Sequence, residues 1–203
     1  MNKEFTSRKL LAGLMLAAGF VCTSTAQANL VNNGGGLIYD TDLNITWISD
    51  GNYADTSGAQ IGGGTMNWGR ATSWADSLNF QNVSGWQLPT LDQLGHLFYD
   101  ELGGQAGTSI VSVHNPANYA MFGNIKDLYW SSTEINQSSA GFLNFHSGYD
   151  NNTAKTQGLY AFAVHSGNIM PGVPEPETYA MLMVGLGLVG FIARRRKQIS
   201  KEA

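Results

Sequence analysis

"GWQLPTLDQLGHLFYDEL", Gly85 to Leu102, turns a tight bend into a helix within six residues. Pro89 disfavours helix at the residue before it, so the helix starts after the bend. Thr90 is placed to cap it, with Gln93 three residues on at the reciprocal capping-box position. Leu91, Leu94, Leu97, Phe98 and Leu102 recur at helical spacing and define one apolar face. Gly103-Gly104 ends it.

A second helix precedes the bend. In "MNWGRATSWADSLNF", Met66 to Phe80, Asn67 can cap the start, and Trp68, Ala71, Trp74, Ala75 and Leu78 form one stripe. Upstream, Leu37–Tyr39 and Ile45–Ile48 are β-rich runs around the turn residues Asp40 to Asn44, which predicts a hairpin. Residues 104–124 are irregular. The last third predicts strands in "LYWSSTE" (128–134), "AGFLNFHS" (140–147) and "GLYAFAVHS" (158–166), with "GYDNNTAKTQ" (148–157) as a loop. Two early helices with strands around them give an α+β domain.

Both ends of the chain read as addresses. Lys3, Arg8 and Lys9 precede an apolar Leu10–Val21, and Ala26-Gln27-Ala28 is an A-x-A cleavage site. Residues 1–28 are therefore expected to be a signal peptide removed by signal peptidase after Sec export, leaving a chain that starts at Asn29. The single cysteine, Cys22, leaves with that peptide, so no disulfide or Cys-ligated metal is expected. At the other end, Pro174-Glu175-Pro176 stands before an apolar run from Thr178 to Ala193, and Arg194-Arg195-Arg196-Lys197 follows it. About 16 residues reach roughly 24 Å, short of a typical hydrocarbon core, although basic side chains can snorkel.

The charge is unevenly divided. The chain carries a formal −4. Residues 29–173 hold Arg70, Lys126 and Lys155 against nine Asp and two Glu, about −8. Basic groups at both outer flanks fit an acidic middle that crosses the membrane. Such a domain is a poor partner for nucleic acid, anionic lipid or sulfated glycan, which need Lys/Arg footprints.

The tail, with Val173-Pro174-Glu175-Pro176, its Gly-rich helix (Gly185, Gly187, Gly190) and its Arg cluster, resembles the PEP-CTERM sorting signal of exopolysaccharide-producing bacteria. The resemblance implies processing by an exosortase, an inner-membrane transit intermediate, and delivery to the cell surface or extracellular matrix. The sorting signal would cover 173–198, with a transmembrane helix at about 178–193 and a cytoplasmic tail at 199–203. A permanent single-pass anchor is the alternative.

Residues 37–167 resemble the Lcl C-terminal-like domain, through Leu37–Trp47, "WGRATSWADSL", "GWQLPT", "YWSSTE" and "YAFAVHSG". The domain would occupy 29–172. The resemblance implies a C-type-lectin-like fold, with two helices packed on a small twisted antiparallel sheet and long loops. Gln87 and His165 stand where that resemblance leads one to expect arginine.

The candidate chemistry is sparse. Trp47, Trp68, Trp74 and Trp86 read as core. Trp130 is a candidate ligand contact, because it alternates with Tyr129 and one of the two must face outward unless the strand is covered on both sides. Glu134, Tyr149, Asp150 and Asn152 are the other candidates, at a strand end and on the loop side. His146 and His165 share "HSG", but a 140–147/158–165 hairpin would hold them roughly 20 Å apart. His96 and His114 have no partner at ligand spacing, so no metal site is expected. Asp40 to Asn44 and Asp150 to Asn152 could offer oxygens to Ca²⁺ without matching an EF-hand.

No catalytic residues are assigned. There is no G-x-S-x-G, no thiol in the processed chain, and no joined Ser/His/Asp set. The expectation is a non-enzymatic surface or matrix protein that binds exopolysaccharide or another surface protein. The alternatives are a structural matrix component without a specific ligand, and a polysaccharide hydrolase built on Glu134 and a second carboxylate.

Overall fold

The computed structural model describes residues 30–59, 63–172, 181–186 and 188. The expected hairpin is present. Leu37–Asp40 (β2) pairs antiparallel with Ile45–Ile48 (β3), with Asp40 opposite Ile45. Asp40 makes the turn: its Oδ1 accepts the N–H groups of Asp42 at 3.1 Å and Leu43 at 3.0 Å, and Asn44 takes the left-handed conformation at φ 52°. Leu30–Gly34 (β1) adds to β2 with a bulge between Asn32 and Gly34, and Val164–Ser166 (β8) adds to β3. The first sheet therefore has the order β1-β2-β3-β8.

The remaining strands form a second four-stranded sheet, not an extension of the first. Leu128–Glu134 (β4), Ser139–Asn144 (β5), Asp150–Ala154 (β6) and Tyr160–Ala161 (β7) lie in the order β6-β5-β4-β7. The β4–β7 pair is parallel, so the single antiparallel sheet of the expectation is replaced by one antiparallel and one mixed sheet. The segment read as one strand at 158–166 is divided: β7 belongs to the second sheet and β8 to the first.

The stretch 148–157, expected as a loop, contains β6. Its "DNNTA" is almost entirely exposed and polar, so hydrophobic alternation cannot reveal it. Backbone pairing to β5 makes it a strand, with Leu143 opposite Asp150 and Gly141 opposite Asn152. The 140–147/158–165 hairpin does not form, because β6 occupies that side of β5.

Both expected helices occur. Trp68–Ser77 (α2) is capped by Asn67, whose side chain accepts the Arg70 N–H at 2.9 Å. Leu91–His96 (α3) carries the full capping box: Thr90 Oγ1 accepts the Gln93 N–H at 3.1 Å, and Gln93 Oε1 accepts the Thr90 N–H at 2.8 Å. The helix does not continue regularly to Leu102. Leu97–Glu101 widens into a π turn, with the Leu102 N–H donating to the Leu97 carbonyl at 2.9 Å. Two one-turn helices, Tyr53–Thr56 (α1) and Pro116–Tyr119 (α4), are too short to show apolar periodicity.

The core has two lobes divided by β4. Tyr129 and Trp130 are both fully buried, because β4 is covered on both faces. Tyr129 packs with Trp47, Leu94, Phe98, Phe145 and Phe162; Trp130 packs with Trp74, Trp86, Leu88 and Ile48. Phe98 and Tyr129 each stand edge-on to Phe145, at 5.4 and 5.1 Å between ring centres.

Met181–Leu186 and Leu188 are helical and exposed. No helix among the described residues is long and apolar enough to cross a membrane, and much of the expected span at 178–193 lies outside them.

Candidate functional site

The capped α3 and the chain that leaves β5 enclose an open cleft of about 320 Å³. Leu91 and Leu143 give it apolar walls, and Gly95 leaves space where a side chain would stand. Asp92, Asp100 and Asp150 bring three carboxylates to it. Tyr99 joins its two sides: the hydroxyl donates to the Gly148 carbonyl at 2.7 Å. Gly148 is required there. It has φ 74°, and a Cβ would sit 2.7 Å from both the Phe98 ring and the Tyr99 oxygen. Partial burial raises the Tyr99 pKa, and the nearby Tyr149 and Asp150 raise it further.

His96 forms the inner side of the cleft. Its Nδ1 lies 3.1 Å from the exposed Asp100 carboxylate, one helical turn on. Its Nε2 faces inward, 3.3 Å from Glu101 Oε1 and 3.6 Å from Asp40 Oδ2. Both carboxylates are fully buried. Asp40 comes from the end of β2, His96 from the end of α3 and Glu101 from the end of the π turn. The expectation that His96 has no partner for a metal is corrected: three ligand-type side chains converge, their donor atoms within 4.8 Å of one another. Asp40 and His96 are 56 positions apart, so local spacing could not disclose the cluster. One signal was available, since Glu101 falls four residues after Leu97 and seven after Leu94, on the apolar face of the helix.

The expected binding residues separate into two groups. Trp130 has no exposed face, and its indole N–H donates to the Met66 carbonyl at 2.8 Å, which corrects its reading as a ligand contact. Glu134 stands at the end of β4 in an ion pair with Lys155, whose ammonium also lies 4.4 Å from the centre of the Trp68 ring. Tyr149, Asp150 and Asn152 are exposed, and Tyr149 and Asp150 lie on the cleft side, close enough to shift Tyr99. Asp40 turns inward to its own turn and to His96 and is not part of an outward Ca²⁺ loop.

His146 is exposed in the turn after β5, whereas His165 lies in the first sheet with its ring edge-on to Trp86 at 5.5 Å. Gln87 pairs with Val164 through two backbone hydrogen bonds, so the two positions where arginine was expected are neighbours across adjacent segments. Ala26, Ala28, Pro174, Glu175, Pro176 and Arg194 to Lys197 lie outside the described residues.

Two family models match the chain. The PEP-CTERM protein-sorting motif matches residues 172–197, and the Lcl C-terminal domain matches residues 36–165. No curated protein matches it. The sorting motif implies an exported protein, processed by exosortase and sorted to the cell surface or extracellular space. The Lcl match takes in the hairpin, both helices, the second sheet and the cleft, with β1 outside it, and the chain belongs to the Lcl C-terminal domain family.

Proposed function

We propose that this chain is a non-enzymatic binding protein of the cell surface or extracellular matrix, and that it holds glycan in the cleft between α3 and the β5–β6 turn. The observation that carries this reading is the juxtaposition of Asp92, Asp100 and Asp150 around an open cleft, with exposed Tyr149 next to Asp150 and near Tyr99. Carboxylates accept charge-assisted hydrogen bonds from sugar hydroxyls and amines, and a tyrosine ring offers an apolar face to a pyranose. Three carboxylates with no cation among the cleft's lining residues disfavour uronic or sulfated chains. The ligand class is therefore a neutral or amino-sugar polysaccharide.

Helices set beside two small sheets support a C-type-lectin-like arrangement. The apolar segment at 178–193 acts as a transient membrane helix that holds the chain for exosortase. Isothermal titration of the exported protein with the producing cell's own polysaccharide tests the binding. Saturable binding that Tyr149→Ala removes supports the reading, and absence of binding both with and without Ca²⁺ refutes it.

A further inference from the structure

We infer that Asp40, His96 and Glu101 form a zinc site at the inner side of the cleft. His96 Nδ1 lies 3.1 Å from the exposed Asp100 carboxylate, so the ring turns its other nitrogen to the interior. The opposite nitrogen, Nε2, is shielded from solvent and makes no hydrogen bond, yet two buried carboxylate oxygens lie 3.3 and 3.6 Å away. A buried ring nitrogen and two buried carboxylates, with donor atoms within 4.8 Å of one another, form a ligand set that a divalent cation between them would satisfy.

The spacing selects the ion. Zinc binds imidazole nitrogen and carboxylate oxygen at about 2.0–2.2 Å, which sets tetrahedral donors about 3.3–3.6 Å apart. The distances from His96 Nε2 to Glu101 Oε1 and Asp40 Oδ2 fall in that range. Calcium and magnesium prefer six or more oxygen donors, and a set of one nitrogen and two carboxylates suits them poorly. One imidazole and two carboxylates leave the fourth position to water, and the two carboxylate charges neutralise the ion.

Each ligand is also held from behind, as metal ligands commonly are. Asp100 orients His96. The N–H groups of Asp42 and Leu43 hold Asp40 Oδ1, and the Trp47 indole N–H reaches Oδ2 at 3.5 Å. Asn118 donates to Glu101 Oε2 at 3.5 Å and to the Glu101 carbonyl at 2.8 Å. Bound zinc would fasten the β2–β3 turn to the end of α3. This site does not depend on what the cleft binds.

The test uses the untagged full chain, stripped with a chelator and titrated with ZnCl₂ at neutral pH. One zinc per chain by elemental mass spectrometry, a rise in Tm with added zinc and no rise with Mg²⁺ or Ca²⁺ are expected. His96→Gln should abolish the stoichiometric zinc. Asp100→Asn, at a largely exposed position, should fold normally and bind zinc about 10–100-fold more weakly. His146→Ala should bind as the wild type does. A folded wild-type chain that takes up no zinc and shows no Tm shift overturns the proposal, as does a folded Asp100→Asn variant with wild-type affinity.

Discussion

The Tyr129 hydroxyl donates to the Gly51 carbonyl at 2.9 Å and accepts the Lys126 N–H at 2.7 Å, in a fully buried site. One phenol thus ties β4 of the second sheet to the segment that follows β3 of the first. Tyr129→Phe strands the buried Gly51 carbonyl and the partly buried Lys126 N–H. It should cost about 1–3 kcal/mol in urea unfolding with the far-UV spectrum unchanged. A loss near zero would show that water replaces the phenol.

Gly51→Ala attacks the same junction from the other side. A Cβ there would lie 2.7 Å from the Tyr129 oxygen and 3.0 Å from the Phe162 ring. Overpacking of about 1–3 kcal/mol is expected, with a lower denaturation midpoint. Because the two substitutions share one contact, their effects should not add in the double variant.

The junction also sets a pH limit. Burial pushes the Tyr129 pKa well above its ordinary value of 10.0, outweighing the Lys126 hydrogen bond that lowers it; Asp50, Tyr160 and Asp127 add to the rise. The folded phenol stays protonated where the unfolded one ionises. Its contribution is complete below about pH 10 and is lost as pH rises above that value. Denaturant midpoints measured from pH 8 to 11 should fall above pH 10, and the fall should be shallower in Tyr129→Phe.

Trp130 and Tyr149 separate stability from binding. Trp130→Ala removes a buried indole and its hydrogen bond to Met66 and should cost about 3–5 kcal/mol. Tyr149→Ala should leave Tm within a degree or two and lower glycan affinity at least about tenfold, by the usual scale for a central aromatic contact. The reverse pattern in the two variants would place the binding surface elsewhere.

The local elements were legible because their signals are local. Thr90 and Gln93 announce the start of α3, the Trp68–Leu78 stripe announces α2, and Asp40 to Asn44 announces the hairpin turn. The partnership of strands was not legible. β6 is polar on both faces and shows no period, and β7 and β8 leave one continuous apolar run for different sheets. Trp130 misled because alternation implies an outward residue only when one face of a strand is wet, and β4 is dry on both. The Asp40–His96–Glu101 cluster required the tertiary fold, with Glu101 on an apolar helix face as its one trace in the sequence.

Thr90→Ala tests how far the cleft depends on its helix cap. Losing the Thr90 Oγ1 half of the capping box, while the Gln93 side chain still accepts the backbone N–H of residue 90, should cost about 0.5–2 kcal/mol and weaken glycan binding only through the unfolded fraction. Chemical denaturation followed beside titration calorimetry separates the two effects.

Delivery of this domain to the cell surface is tested most directly by intact mass of the protein recovered from the surface or medium of the producing cell. Processing at both ends predicts a chain that starts at Asn29 and stops near Pro174 to Pro176. A recovered chain that still carries Arg194 to Ala203 would contradict exosortase processing.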